Sequence, residues 1–175
     1  MDISIRRSKP RDLNALFELE KKAFPLYQQS PRRTLSLSLK SKFQQVWVAE
    51  NVSGNDYKIL GCLILYLYKK AVRVFSGVVD PEFQGKGIGK KLLVKARETA
   101  VQNAADRITL EVDANNRKLV EWYIEEGFES TELLSDYYKE GEDAFRMVLK
   151  LPKEEAKPRI TNMIVVDDPR EWDLE

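Results

Sequence analysis

The sequence predicts a mixed α+β domain over residues 1–151, followed by a segment of different character, 152–175. Three patterns carry that expectation. Ile59–Tyr68 is a nearly continuous apolar run, as expected of a strand in mid-sheet with both faces covered. Ile108, Leu110 and Val112 alternate with Thr109, Glu111 and Asp113, the period of a strand with one apolar face. Ile88, Leu92, Ala96 and Ala100 recur every four residues, a stripe at helical period.

The remaining elements follow in chain order. Ile3–Ile5 reads as a short strand, and Asp12 as the N-cap of a helix that carries Leu13, Leu16, Phe17, Leu19 and Glu20 and ends before Pro25. Leu35–Phe43 predicts a second, weaker helix after Pro31. Val46–Glu50 reads as a strand, and the turn residues of Asn51–Tyr57 join it to the apolar run as a hairpin. Val72–Asp80 predicts the next antiparallel strand, stopped by Pro81. Gly85-Lys86-Gly87-Ile88-Gly89 forms a loop into the striped helix. Asn115 or Asn116 caps a further helix with Leu119, Val120, Tyr123 and Ile124, closed by a left-handed Gly127. Phe145–Leu151 reads as the last strand.

Composition narrows the chemistry. The chain has no histidine and one cysteine, Cys62. Histidine-dependent nucleophile triads, imidazole acid/base work, histidine metal sites and paired-thiol motifs are therefore excluded. Proton transfer falls to Glu, Asp, Tyr, Lys, Cys or water. Cys62 lies within the apolar strand and reads as a small core residue. Basic and acidic residues number 29 and 28, so no global field favours nucleic acid or an anionic membrane. The segment 152–175 holds 4 basic and 7 acidic residues, which leaves the domain mildly positive. The N-terminus lacks the apolar core of a signal peptide, and no apolar run approaches the length of a membrane span. The expected location is cytoplasmic, with no metal.

The glycine loop is the most informative feature. Glycine accepts positive φ and lets a ligand approach the backbone, and amides at a helix start attract anions. The spacing fits neither a P-loop, where Gln84 stands in place of the first glycine, nor the dinucleotide fingerprint. By itself the loop suits a phosphate ligand or a plain strand-to-helix turn. With its flanks, Val78-Val79-Asp80-Pro81 before and Gln84-Gly85-Lys86-Gly87-Ile88-Gly89-Lys90 within, it resembles the acetyl-CoA-binding segment of the GNAT acetyltransferases. The resemblance implies the GNAT fold, a mixed, mostly antiparallel central sheet with helices on both faces. It also implies that the loop amides hold the pyrophosphate of acetyl-CoA as co-substrate. Backbone groups of Gly77-Val78-Val79 would take the pantetheine arm and polarise the thioester carbonyl.

A second block, Leu110-Glu111-Val112, Asn115-Asn116 and Trp122-Tyr123-Ile124-Glu125-Glu126-Gly127-Phe128, resembles the ribosomal-protein alanine N-acetyltransferases of that family. The resemblance gives Glu111 the place of the general base, Tyr123 that of the acid for the leaving thiolate, and Asn116 a place beside the coenzyme arm. On pattern alone Glu111 faces solvent with Asp113 as its rival, and Tyr123 suits core packing with Leu119 and Val120. Tyrosine, with pKa about 10, can protonate a thiolate, whereas glutamate at about 4.3 needs help to strip an ammonium. An α-amine is about a tenth neutral at pH 7 and a lysine under about a thousandth, so a weak base system suits an N-terminal amine.

Asp136-Tyr137-Tyr138 resembles a loop beside the family's acceptor site, and Phe24-Pro25-Leu26-Tyr27 falls where relatives shape the acceptor pocket. Tyr27, Tyr137 and Tyr138 are thus the expected substrate-binding residues. The expected acceptor is a protein or peptide N-terminus, the alternatives being a small-molecule amine or a silent acyl-CoA-binding module. The chain is expected to work as a monomer or homodimer, and the acidic tail to dock on its own sheet or mediate dimerisation.

Overall fold

The computed structural model describes residues 2–53 and 58–152. Residues 54–57, part of the expected turn Asn51–Tyr57, and the tail from 153 lie outside the described residues. Among the described residues, seven strands and four helices follow one another: β1 (Ile3–Arg7), α1 (Leu13–Ala23), α2 (Arg32–Lys40), β2 (Gln44–Asn51), β3 (Lys58–Leu67), β4 (Ala71–Val79), α3 (Ile88–Gln102), β5 (Arg107–Asp113), α4 (Arg117–Glu125), β6 (Glu129–Lys139) and β7 (Glu142–Lys150). The strand order is β1-β2-β3-β4-β5-β7-β6. β4 and β5 pair in parallel, while β1–β2, β2–β3, β5–β7 and β6–β7 are antiparallel.

The chain divides into two compact units. The first comprises Met1–Tyr66 with Phe75–Glu98. In it, β3 is buried along almost its whole length, as its apolar run requires. Leu16, Leu19 and Leu35 from α1 and α2 join Val46, Val48, Ile59, Cys62, Ile64 and Val78 in one hydrophobic cluster. Ile88, Leu92, Ala96 and Ala100 are all buried, as their period predicts. The α3 stripe comes very close to β3 at Gly61. A Cβ there would meet the Val78 carbonyl at 3.0 Å and Ile88 and Leu92 at 3.1 Å.

Asp12 departs from its expected role. A short 3-10 turn, Pro10–Asp12, precedes α1, and Asp12 makes no side-chain cap on that helix. Its carboxylate instead takes the Lys9 N–H at 2.7 Å and the Arg6 guanidinium at 2.8 Å, while Arg6 also donates to Glu50. Asp12 is nearly inaccessible to solvent, so this ion pair satisfies what would otherwise be a costly buried charge. The second helix begins directly after Pro31 and stops at Lys40, three residues before the expected end.

The second unit holds Leu67–Val74 and the chain from Thr99. Asn116 caps α4 by accepting the Leu119 N–H at 3.2 Å, and Gly127 closes the helix at φ +91°. The sequence reading has no counterpart for β6. Its eleven residues are almost all exposed, as befits an edge strand, so they show no apolar period. Tyr137 and Tyr138 therefore sit in a strand, just past Asp136 at φ +53°, and not in a loop. Thr109 is buried, so β5 is covered on more than one face.

Candidate active site

Within the first unit, Asp80 follows β4 directly and accepts the Glu82 N–H at 3.0 Å, capping the 3-10 turn Pro81–Phe83. Lys22 pairs with Asp80 at 2.8 Å. Burial works to raise the Asp80 pKa, but the Lys22 ammonium and the backbone N–H outweigh it and hold the carboxyl below its usual range. From this anchor the chain passes through Gln84, whose side chain donates to the Val79 carbonyl at 3.4 Å, into the glycine loop. Gly85 and Gly87 stand at φ +75° and +78°, and a Cβ on either would meet nothing within 4 Å. The two positions thus require glycine for backbone shape and leave open space beside it. Ile88 is the buried foot of α3, while Lys86 and Lys90 are exposed at its mouth. Open amides at the start of a fifteen-residue helix with lysines around them suit a phosphate-bearing ligand. Gly77 is exposed, Val78 buried and Val79 half-buried on the strand leading to this loop. Tyr27, in the 3-10 turn Leu26–Gln28, is part-exposed.

Within the second unit, β5 presents Glu111 to a cross-strand row of charge. Arg146 on β7 lies directly opposite Glu111 in the register, and Glu132 on β6 lies opposite Arg146. Arg73 on β4 donates from Nε to Glu111 Oε2 at 2.9 Å, with Nη2 at 2.8 Å from the same oxygen. Arg146 Nε donates to Oε1 at 3.4 Å and pairs on its other side with Glu132. The Glu111 side chain is only 5% exposed, unlike the solvent-facing position its strand pattern suggested. For Arg73, burial opposes the charge, yet the nearby Glu111 carboxylate outweighs it and raises the guanidinium pKa. Arg73 Nη2 also donates to the Tyr137 hydroxyl at 3.0 Å.

Tyr137 and Tyr138 stack edge to face at 4.9 Å. Burial pushes the Tyr138 pKa up, and negative charge on Tyr137, Asp113, Glu111 and Tyr123 adds to the effect. The expected acid/base pair and two of the acceptor tyrosines therefore share one electrostatic neighbourhood in this unit. Tyr123 packs edge-on against Phe128 at 5.4 Å and against Trp122 at 4.9 Å. Burial pushes its phenol up to about 12, so it keeps its proton through neutral and mildly alkaline pH. Asp113, the rival carboxylate, accepts the Asn115 N–H at 2.8 Å and shapes the turn into α4. Oδ1 of Asn116 is committed to the helix cap. Cys62 is buried, and burial together with the charges of Glu20 and Asp12 pushes its thiol up, which suits a core residue and not a nucleophile.

Residues 13–128 match the Acetyltransferase (GNAT) family. The chain belongs to that family. It is 31% identical over 160 residues to an uncharacterised N-acetyltransferase of Methanocaldococcus jannaschii, covering 90% of this chain and 97% of that one. It is also 31% identical over 87 residues to an N-alpha-acetyltransferase of Arabidopsis thaliana, where the match covers half of this chain but 45% of the plant protein. This second stretch spans less than half the relative's length. Among solved structures, the ribosomal-protein alanine N-acetyltransferase of Escherichia coli superposes with a TM-score of 0.76 at 20% identity, over 93% of this chain and 99% of that one. The expected family, its mostly antiparallel mixed sheet and an acetyl-CoA-dependent acetyltransferase activity are thereby borne out.

Sequence reading missed Arg73 and Arg146. The available signal was an arginine inside each of two apolar strands, Val72-Arg73-Val74 and Phe145-Arg146-Met147. Among the described residues no three His, Cys, Asp or Glu side chains gather as a metal site, and no helix is long and apolar enough to cross a membrane.

Proposed function

We propose that this enzyme moves the acetyl group from acetyl-CoA directly to the α-amine of a protein or peptide N-terminus, in the cytoplasm. The observation that carries the choice of acceptor is the state of Glu111. With arginines on both of its oxygens, it is a charge-compensated carboxylate whose lone pairs are already engaged. Such a site favours an amine that is already partly neutral, and an α-amine is far more so than a lysine at pH 7.

In this reading the amides and lysines of 84–90 hold the phosphates of the donor, since the open left-handed glycines leave room for them. Backbone groups of Gly77, Val78 and Val79 take the arm and donate to the oxygen that gains negative charge. Nδ2 of Asn116 meets the arm as well, because Oδ1 is occupied by the cap. The amine nitrogen attacks the thioester carbon, the carbon–sulfur bond breaks, and Tyr123 gives its proton to the departing thiolate. The proton lost by the nitrogen passes through water toward Glu111. Tyr27 of the first unit and Tyr137 and Tyr138 of the second are the side chains this reading assigns to the acceptor.

Binding and turnover test this separately. Acetyl-CoA at 100 times its Kd should stabilise the fold by about 2.7 kcal/mol. Free thiol should then appear with peptides bearing an open N-terminus and not with the same peptides blocked there. Stabilisation without thiol release from any amine would leave only a silent acyl-CoA-binding module.

A further inference from the structure

Glu20 is a buried carboxylate that the reaction above does not use. It lies on the last turns of α1 at 2% exposure, beside the apolar cluster of Leu16, Leu19 and Val78. Among the described residues no lysine or arginine pairs with it. Its two oxygens are instead divided between the connection that follows α1 and the strand β4. Oε2 accepts the Ser30 N–H at 3.0 Å, and Oε1 accepts the Ser76 hydroxyl at 2.7 Å. Ser30 closes the segment that follows α1, and Ser76 is the residue before Gly77 on β4.

A second hydrogen bond restrains the same segment, since the Gln29 side chain donates to the Phe24 carbonyl at 2.7 Å. What this held turn displays is apolar: Leu26 is 85% exposed and Tyr27 is 38% exposed. An ordered turn that presents large apolar side chains to solvent is a recognition feature more than a packing one. An unpaired buried carboxylate is an expensive way to hold it, and an apolar residue of the same volume would be the more stable choice.

We propose that Glu20 is a positioning residue for acceptor binding: by joining Ser30 to Ser76 it fixes the turn bearing Leu26 and Tyr27 relative to the strand that leads into Gly77. This rests on the N-acetyltransferase reading above, in which Tyr27 meets the acceptor. The role needs two hydrogen bonds and not a negative charge. A glutamine can supply both, accepting from Ser30 through Oε1 and donating to Ser76 through Nε2, whereas methionine fills the volume and supplies neither.

The test compares Glu20→Met and Glu20→Gln in the full chain by hydrogen exchange over residues 24–31 and by steady-state kinetics with an N-terminal peptide. E20M should speed exchange in that segment at least tenfold with α3 unchanged. It should raise KM for the peptide about tenfold, with kcat within threefold and KM for acetyl-CoA within twofold. E20Q should restore both readouts to within threefold of the parent. Unchanged exchange in E20M overturns the latch, and faster exchange with an unchanged peptide KM overturns the positioning role. If the parent chain acetylates no amine, the reading of function fails, and exchange alone then decides whether Glu20 holds the segment.

Discussion

Arg146 on β7 stands directly opposite Glu111 on β5, and Arg73 on β4 grips the same carboxylate at 2.8 Å from the neighbouring strand. With Glu132 beyond Arg146, charge alternates in a row across four strands. Cross-strand neighbours of opposite sign stabilise a sheet, and here they also fix the one carboxylate that the family resemblance singles out. Deleting either end of such a pair strands the other.

Glu111→Ala should therefore destabilise more than Arg73→Met. The first leaves two part-buried guanidiniums facing each other, and the second leaves Glu111 with Arg146. Losses of about 3 and about 1–2 kcal/mol are expected, read from urea unfolding of each variant. Equal or negligible losses would mean the row contributes little to the fold.

Tyr123→Phe removes only the phenolic hydroxyl, and with it the transferable proton, and keeps the ring that packs on Phe128. The expected result is a fall in kcat of about 10²-fold or more, with the Kd of acetyl-CoA unchanged. Isothermal titration alongside steady-state rates separates the two quantities. Unchanged turnover removes Tyr123 from the proton path.

The pH–rate profile carries a distinct signature. Burial raises the Tyr123 phenol up to about 12, so its acid form is retained up to that region and lost only above it. The rate should climb with pH as the α-amine of the acceptor becomes neutral near pH 8, then stay level through pH 10. A falling limb below pH 10 would show that the phenol titrates like an ordinary tyrosine or that another acid serves.

Asp80 links folding to acid pH. Its carboxyl is held below the usual range, so the stability it contributes is full above about pH 4, its unfolded value, and is lost as pH falls toward the folded value. Asp80→Asn should cost about 1–2 kcal/mol at pH 7, because a neutral amide is a weaker acceptor for the Glu82 N–H in the 3-10 turn Pro81–Phe83 and no longer pairs with Lys22, and should flatten the decline in stability below pH 4. Urea midpoints at pH 7 and pH 3 test both halves of the statement.

Gly87→Ala probes the loop without a clash, since nothing lies within 4 Å of the added Cβ. The strain is in the backbone, at φ +78°, and amounts to about 1–2 kcal/mol. Relief by a shift of the loop should weaken acetyl-CoA binding about tenfold with little change in global stability.

Most of the fold was legible because its elements bury one clear face. The α3 stripe, the β3 run, the Asn116 cap and the Gly127 stop each have a local cause and sit where the sequence places them. β6 was not legible, because an edge strand bathed in solvent has no apolar period to show. Asp12 suited an N-cap by type, but its use was decided by Arg6, which arrives from another strand. The same holds for the site. The glycine loop and the types of Glu111 and Tyr123 are local signals, whereas the clamp on Glu111 exists only because three strands bring Arg73 and Arg146 beside it. Glu20 reads in the sequence like any acidic helix residue, because its partners Ser30 and Ser76 are brought to its two oxygens by the fold.

The central claim is that the acceptor is an α-amine. A library of peptides, each with a free N-terminus and an internal lysine, incubated with acetyl-CoA and the full chain and read by tandem mass spectrometry, tests it most directly. The account predicts acetyl groups on the N-terminal nitrogen in preference to lysine at pH 7. Acetylation confined to lysine, or no peptide acetylation while a small amine is consumed, would contradict it.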